Sequence, residues 1–225
     1  MVIKTVLIDL DNTLLDFNES SKECIKKAFS EQGLPFHETD FPTFKTINDE
    51  LWLKIEKGEL DRTGLHKIRF NLVLEALGLK GDGSLIEKRF REILFDTAIA
   101  VDGARDLMQY LSSKYKVYAA SNAIYLQQIN RLTITGMIDY FSDLFISEKL
   151  GFSKPSKEFF DACIKGANAK VEQTIMIGDS LSADIVGAKE YGFTTIWYNH
   201  NKEPIENGAV ADYVVNSLEE IKSIL

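Results

Sequence analysis

The chain has 225 residues, of which 45% are hydrophobic, and its formal net charge is −8. This composition predicts a packed core, and it argues against disorder and against a protein that grips nucleic acid, which needs clustered Lys and Arg. An acidic chain can still bind a small phosphorylated molecule, because a local site can be positive. The length suits one large domain, or a core with a smaller insertion.

Cysteine and histidine usage argues against a zinc site. Cys24 and Cys163 are far apart, each in a helix-like context, and we expect both to be buried as small apolar residues. The three histidines are scattered (His37, His66, His200). The first apolar run breaks at Asp9, which is too early for a signal peptide, and no stretch is long enough for a transmembrane helix. We therefore expect a soluble, cytoplasmic protein with no membrane partner.

Short apolar runs alternate with helical patterns in the first residues and again from residue 97 onward. The first predicted strand is Val6 to Leu10, and the others are 117–120, 144–146, 174–177, 194–198 and 213–215. The predicted helices are 104–115, a stripe through Leu126, Ile129 and Leu132, 159–167, 183–191, and a last helix capped by Ser217 and Glu220. This alternation predicts an α/β fold, a Rossmann-like parallel sheet with helices on both faces.

Residues 18–96 interrupt that alternation with helical patterns alone. Turns are indicated at Gly58-Glu59 and at Gly81-Asp82-Gly83. The apolar stripes are Ile25, Ala28 and Phe29; Phe44, Ile47, Leu51 and Ile55; Leu65, Ile68, Leu72 and Leu77; and Leu85 to Phe95. We predict a core domain of residues 1–17 and 97–225, and an inserted all-helical domain of residues 18–96.

Two carboxylates, Asp9 and Asp11, end the first strand. Side chains alternate along a strand, so the two leave it on the same side. Like charges this close repel unless a cation lies between them or one carries a proton. The alternative is a solvated turn, with Asn12 and Thr13 supplying the turn chemistry.

Other polar residues follow the later strands. Ser121-Asn122 follow one strand, Asp179 follows another, Asp184 lies one helical turn further on, and Lys154 lies in a loop before a helix. Each has a simpler interpretation, as a helix cap or as a surface residue. Because ligands bind beyond the carboxyl ends of parallel strands, the joint pattern favours a ligand site at that edge.

These residues carry a resemblance to the haloacid dehalogenase superfamily of phosphohydrolases, over the whole chain. The matching motifs are Asp9-Leu10-Asp11-Asn12-Thr13, Ser121, Lys154-Pro155, and Gly178-Asp179-Ser180-Leu181-Ser182-Ala183-Asp184. The helical insertion resembles the helical cap of that superfamily. The region around the last motif, with Trp197-Tyr198-Asn199, resembles bacterial pyrimidine 5′-nucleotidases.

The resemblance implies a mechanism for phosphate ester hydrolysis. Asp9 would attack phosphorus, and Asp11 would serve as general acid and then as general base. Mg²⁺ would be bound by Asp9, the backbone carbonyl of Asp11 and Asp179. The dehalogenases that named the family lack the second aspartate, because a halide leaving group needs no proton, so Asp11 favours phosphoryl chemistry.

The remaining site residues have supporting roles in the same scheme. Ser121, the amide of Asn122 and Lys154 would bind the phosphoryl oxygens. Asp184 would orient a metal-bound water, and Thr13 would support the loop. In the helical cap, substrate choice would rest on candidates at Gly58 to Arg62 and at Arg69, although a surface position on an amphipathic helix is favoured for Arg69.

The function expected from the sequence is a Mg²⁺-dependent phosphatase, most simply a 5′-nucleotidase. Its partner would be a small phosphorylated metabolite, with a nucleotide favoured, and the protein would be a monomer or a small homo-oligomer. A sugar-phosphate or phosphoglycolate phosphatase and a phosphosugar mutase are enzymatic alternatives on the same core. Two non-enzymatic functions stay open as well, a phosphate-sensing module and a partner protein on the same fold.

Overall fold

A computed structural model describes residues 2–204 and 211–225. The chain forms two compact units. The sheet unit comprises Met1–Asp16 and Ala100–Leu225, and the helical unit comprises Phe17–Ile99. In the described residues, the sheet unit holds a parallel sheet with the strand order β3-β2-β1-β4-β5-β6. The predicted α/β fold with a parallel sheet is confirmed.

The strands are short and lie close to their predicted positions. Register is parallel throughout, and Ile8 of β1 lies between Ala119 of β2 and Ile177 of β4. The strands are β1 Thr5–Ile8, β2 Lys116–Ser121, β3 Asp143–Ile146, β4 Thr174–Gly178, β5 Thr194–Tyr198 and β6 Tyr213–Val215. A sheet in this order brings the ends of β2, β1 and β4 side by side.

Both faces of the sheet are buried, as an apolar strand sequence requires. Val6 and Ile8 belong to one core cluster, with residues of α5 (Ala104–Lys114) and α10 (Leu218–Ile224). Leu7 belongs to another cluster, with residues of α8 (Lys157–Ala167) and α9 (Gly187–Tyr191). Helices therefore cover both faces of the sheet, because consecutive strand residues alternate sides.

The helical unit has its own core, which is rich in phenylalanine. The helices are α1 Phe17–Glu31, α2 Phe41–Glu56, α3 Arg62–Ala76 and α4 Gly83–Phe95. Phe44, Phe70 and Phe90 contact one another, with ring centroids 5.3 to 6.0 Å apart. Asp61 and Asp82 accept hydrogen bonds from the first turns of α3 and α4, which explains where these helices begin.

Two helices bury a face that differs from the predicted apolar stripe. In α6 (Tyr125–Ile134), Leu126 is 65% exposed, whereas Gln128 and Arg131 are buried. In α3, Leu72 is 38% exposed and Arg69 is buried. The predicted stripes were wrong at these positions, because polar side chains with distant partners occupy the buried faces.

Smaller differences concern two helices, whereas the cysteines are placed as predicted. The predicted helix at 183–191 is a π-helical segment, Leu181–Val186, followed by α9. A short α7, Ser147–Leu150, follows β3. Cys24 and Cys163 are both buried, as predicted. Among the described residues, the helices are too short or too polar to cross a membrane.

His66 of α3 predicts a pH-dependent stability of the helical unit. Burial lowers its pKa to about 4, and Arg91, Arg69 and Arg62 lower it as well. Between pH 6.5 and 4 the unfolded chain therefore binds a proton that the folded unit does not, so stability falls as the pH falls through this window. We expect His66→Gln to remove about 2 kcal/mol of that dependence, with allowance for the solvent that reaches the ring. Urea denaturation of both proteins at about pH 4.5 and 7 measures how far the free energy of unfolding changes between the two pH values. An equal change in wild type and His66→Gln would contradict the prediction.

Candidate active site

The first carboxylates of the site are placed by adjacent strand ends. Asp9 directly follows β1 and donates its backbone N–H to the carbonyl of Ile177 in β4 (2.9 Å). Ser121 is the last residue of β2, and Asp179 follows β4. Because these strands are parallel neighbours, the three residues lie at the same edge of the sheet.

Three aspartates form a compact carboxylate cluster there. Asp9, Asp179 and Asp184 each have an oxygen within 4.8 Å of the others, and the hydroxyl of Thr13 donates to Oδ1 of Asp179 (3.2 Å). Oxygen donors of this kind are the ligands that Mg²⁺ takes, so the cluster fits that ion. The side chain of Asp184, predicted to act from further out, belongs to the cluster itself.

Burying three carboxylates together is energetically unfavourable unless positive charge lies nearby, and the effect of burial is seen in the pKa values of Asp9 and Asp179. Burial raises the pKa of Asp9 to about 7, against the opposing effect of Lys154. Burial also raises the pKa of Asp179 well above its usual value, and the nearby charge of Asp9 adds to that effect. A cation bound among the three carboxylates would favour their ionised forms.

Lys154 supplies positive charge from within the protein. Its Nζ donates to Oδ1 of Asp9 (2.6 Å), to Oδ1 of Asp184 (2.6 Å) and to the carbonyl of Ala120 (2.5 Å). Burial alone would lower the pKa of Lys154, but the two carboxylates raise it above its usual value. The side chain of Asn122 holds the lysine backbone, with Lys154 N to Asn122 Oδ1 and Asn122 Nδ2 to Lys154 O both 2.8 Å. The ammonium is therefore charged and fixed in place.

Asp184 lies in the π-helical segment, Leu181–Val186, which places its side chain in the site. Its Oδ1 accepts from Lys154, and its Oδ2 accepts from the backbone N–H of Ser180 (3.1 Å). Gly178 lies directly behind it, and a Cβ on that residue would lie 2.2 Å from Oδ2 of Asp184. Glycine at this position lets the carboxylate approach the end of β4.

We expect Gly178→Ala to damage the site. The new methyl group must displace Asp184 or the end of β4, which we expect to cost about 1–3 kcal/mol of stability. Activity would fall by at least about tenfold as the contact of Asp184 with Lys154 is lost. Circular dichroism and phosphate release on the same sample separate the two effects. A folded variant with wild-type activity would contradict the role given to this approach.

Asp11 lies beside the cluster but pairs elsewhere. Its Oδ1 accepts from Nη1 of Arg131 (2.5 Å), and its Oδ2 accepts from Nε2 of Gln128 (2.6 Å). Gln128 Nε2 also lies 3.3 Å from Oγ of Ser121. The metal contact predicted for the backbone carbonyl of Asp11 stays a prediction, as do the phosphate contacts of Ser121 and the Asn122 amide.

Sequence reasoning missed Gln128 and Arg131. Their signal was available, since two polar residues three positions apart share one face of the helix that follows Ser121. The apolar stripe through Leu126 and Ile129 obscured it. The buried face of α6 carries the polar pair, and this pair connects Asp11 with Ser121.

The predicted cap residues belong to the helical unit. Arg69 is buried, and its Nε and Nη2 donate to the two oxygens of Glu87 (3.0 and 2.7 Å), while Nη1 donates to Asn48 (2.9 Å). The surface position favoured for Arg69 was wrong, because the side chain is buried against Glu87 and Asn48. Its role in substrate choice stays a prediction. Arg62 is the partly exposed first residue of α3, and its role stays a prediction.

A doubly covered parallel sheet with a lysine-bridged carboxylate cluster at its carboxyl edge defines a class of α/β hydrolases. The family model of the haloacid dehalogenase-like hydrolases matches residues 3–192. The chain belongs to this family.

Several relatives match nearly the whole chain. It is 34% identical over 223 residues to the HAD-hydrolase YfnB of Bacillus subtilis, covering 99% of this chain and 95% of YfnB. It is 33% identical to the pyrimidine 5′-nucleotidase PynA of Streptococcus pneumoniae (100% and 96% covered), and 30% identical to the pyrimidine 5′-nucleotidase YjjG of Escherichia coli (98% and 96%). A glyceraldehyde 3-phosphate phosphatase of Pyrococcus furiosus is 28% identical (99% and 93%).

A solved structure extends the comparison. The crystal structure of YfnB bound to magnesium has a TM-score of 0.93 to this chain at 34% identity, covering 100% of this chain and 99% of that one. The chain is thus a hydrolase of this family with nucleotidase and sugar-phosphate phosphatase relatives.

Proposed function

We propose that the protein is a Mg²⁺-dependent phosphomonoesterase that acts on nucleoside 5′-monophosphates through an aspartyl-phosphate. The observation that carries the proposal is the pairing of Asp9 with Lys154 beside the carboxylates of Asp179 and Asp184. A buried carboxylate held by an ammonium group is oriented for attack while its charge is partly offset.

The first half of the reaction transfers the phosphoryl group to the protein. We assign the nucleophilic oxygen to Oδ2 of Asp9, because Oδ1 accepts the hydrogen bond from Lys154. Its attack forms a P–O bond as the bond to the leaving alcohol breaks, and Asp11 gives that alcohol its proton. Asp9, Asp179 and Asp184 would hold a magnesium ion, whose positive charge would offset that of the phosphoryl oxygens.

The second half returns the site to its starting state. Asp11 takes a proton from water, whose oxygen attacks phosphorus, and the P–O bond to Asp9 breaks. Inorganic phosphate leaves, and Asp9 is again a carboxylate beside Lys154. Ser121 and the backbone N–H of Asn122 bind phosphoryl oxygens in both halves, since the side-chain amide of Asn122 holds Lys154.

The nucleotide preference is supported by the full-length similarity to PynA and YjjG. A sugar-phosphate substrate is the second candidate, supported by the similarity to the glyceraldehyde 3-phosphate phosphatase. Selection between them would fall to the helical unit, acting as a cap.

A substrate panel tests the proposal. Phosphate release is measured with Mg²⁺ and with EDTA on pyrimidine and purine 5′-monophosphates, glyceraldehyde 3-phosphate and p-nitrophenyl phosphate. We expect Mg²⁺-dependent hydrolysis with the highest kcat/KM on a nucleotide. Faster hydrolysis of sugar phosphates than of every nucleotide would overturn the substrate, and no hydrolysis at all would overturn the phosphatase.

A further inference from the structure

Arg131 is a buried cation outside the four motifs. Its side chain is 1% exposed, and its Nη1 donates to Oδ1 of Asp11 (2.5 Å) and lies 3.3 Å from Oε1 of Gln128. Among residues 2–204 and 211–225, no group accepts a hydrogen bond from Nε or Nη2. The guanidinium therefore has a single carboxylate partner in that part of the chain, Asp11.

Stability alone does not account for this arrangement. A buried guanidinium loses its hydration, and donors left without partners add to that cost. An apolar residue of similar size is often at least as stable in such a position. Within the described part of the chain, the ion pair with Asp11 is the one charged contact that offsets the cost of burying the guanidinium. We take this as a sign that the ion pair serves Asp11 and not the stability of the fold.

Gln128 donates a second hydrogen bond to the carboxylate of Asp11. It lies three residues before Arg131 on α6, so both side chains leave the same face of the helix. Gln128 donates to Oδ2 of Asp11, whereas Arg131 donates to Oδ1. With one donor on each oxygen, the carboxyl plane of Asp11 is fixed. Gln128 also reaches Ser121, which ties Asp11 to the end of β2.

We propose that Arg131 and Gln128 are positioning residues that orient Asp11 for proton transfer to the leaving oxygen and from the attacking water. The inference rests on the proposed phosphatase function. Neither residue contacts substrate in this scheme, and both act through Asp11. In the first half of the reaction, their contribution should therefore scale with the need of the leaving group for a proton.

The test compares two leaving groups. p-Nitrophenolate leaves as a stable anion, whereas the ribose oxygen of uridine 5′-monophosphate needs a proton. For Arg131→Met we expect kcat/KM, which reports the steps up to release of the leaving group, to fall about 100-fold or more on the nucleotide but less than about tenfold on p-nitrophenyl phosphate. The later hydrolysis of the aspartyl-phosphate is common to both substrates and does not enter this comparison. Arg131→Lys should restore part of the nucleotide activity. Arg105→Met, in the same unit, is the matched control and should leave both rates unchanged.

A double-substitution cycle shows whether the effect passes through Asp11. In an Asp11→Asn background, Arg131→Met should lower the nucleotide rate little further, because the proton-transfer group is already absent. Equal losses of kcat/KM on the two substrates, or additive losses in the cycle, overturn the inference and leave Arg131 a structural residue.

Two further outcomes are distinguishable. Wild-type protein that hydrolyses neither substrate overturns the proposed function, and the inference with it. If Arg131→Met does not fold, Arg131→Lys and Gln128→Met carry the same test. A ratio of the two kcat/KM values that stays at the wild-type value in both variants then overturns the positioning role while the phosphatase stands.

Discussion

Asp9→Asn is expected to lower Mg²⁺-dependent phosphate release from p-nitrophenyl phosphate by more than about 1,000-fold. The amide keeps the shape of the side chain but is a poor nucleophile. It also places an NH₂ group or a neutral oxygen where Lys154 now meets a carboxylate at 2.6 Å. The measurement is initial rates at saturating substrate with Mg²⁺.

The variant should lose activity without losing its fold. Burial raises the pKa of Asp9 to about 7. Without a metal ion, the negative charge of Asp9 therefore destabilises the folded site, because the carboxylates of Asp179 and Asp184 lie close to it and repel it. A neutral amide relieves part of that repulsion. We therefore expect the thermal midpoint without Mg²⁺ to be at least that of wild type, and the upward shift on adding Mg²⁺ to shrink.

The matched control is Asp139→Asn, an exposed carboxylate in the same unit. It removes the same charge from the chain and should keep full activity and the full Mg²⁺ shift. Full activity in Asp9→Asn, or no activity in wild type, would contradict Asp9 as the nucleophile.

The sheet was predictable because its signals are local. Each strand is an apolar run a few residues long that ends in a turn or a polar residue, and β5 and β6 have the predicted bounds. Parallel pairing follows from the alternation with helices, and the carboxyl edge follows from parallel pairing. That chain of reasoning was enough to place Asp9, Ser121 and Asp179 at one edge.

The polar contacts inside the helices were not predictable in this way. Arg131 and Gln128 find Asp11 at sequence separations of 120 and 117 residues. Arg69 finds Glu87 and Asn48 on other helices. A periodicity argument assigns such residues to the solvent face, because it registers polarity and not the partner that makes burial tolerable.

The buried ion pair of the helical unit predicts a large effect on stability. Arg69→Met would leave the Glu87 carboxylate inside a core where the guanidinium also lies over the rings of Phe44, Phe70 and Phe90 (4.9 to 5.8 Å). Burial already raises the pKa of Glu87, against the opposing effect of Arg69. We expect a loss of about 3–5 kcal/mol, measured by urea denaturation and by hydrogen exchange in α3 and α4.

A second substitution separates the cost of an orphaned charge from the loss of packing. Arg69→Met with Glu87→Met removes both charges and should recover most of the loss, because a paired charge and two apolar side chains of similar volume are close in stability. The exposed pair of Arg89 with Glu31 in the same unit is the matched control, and Arg89→Met should leave stability almost unchanged. If Arg69→Met destabilises the protein no more than that control does, the prediction is contradicted, and Glu87 must become protonated or hydrated at no cost in stability. If the double variant is no better than the single one, the guanidinium stabilises the core mainly through the three rings.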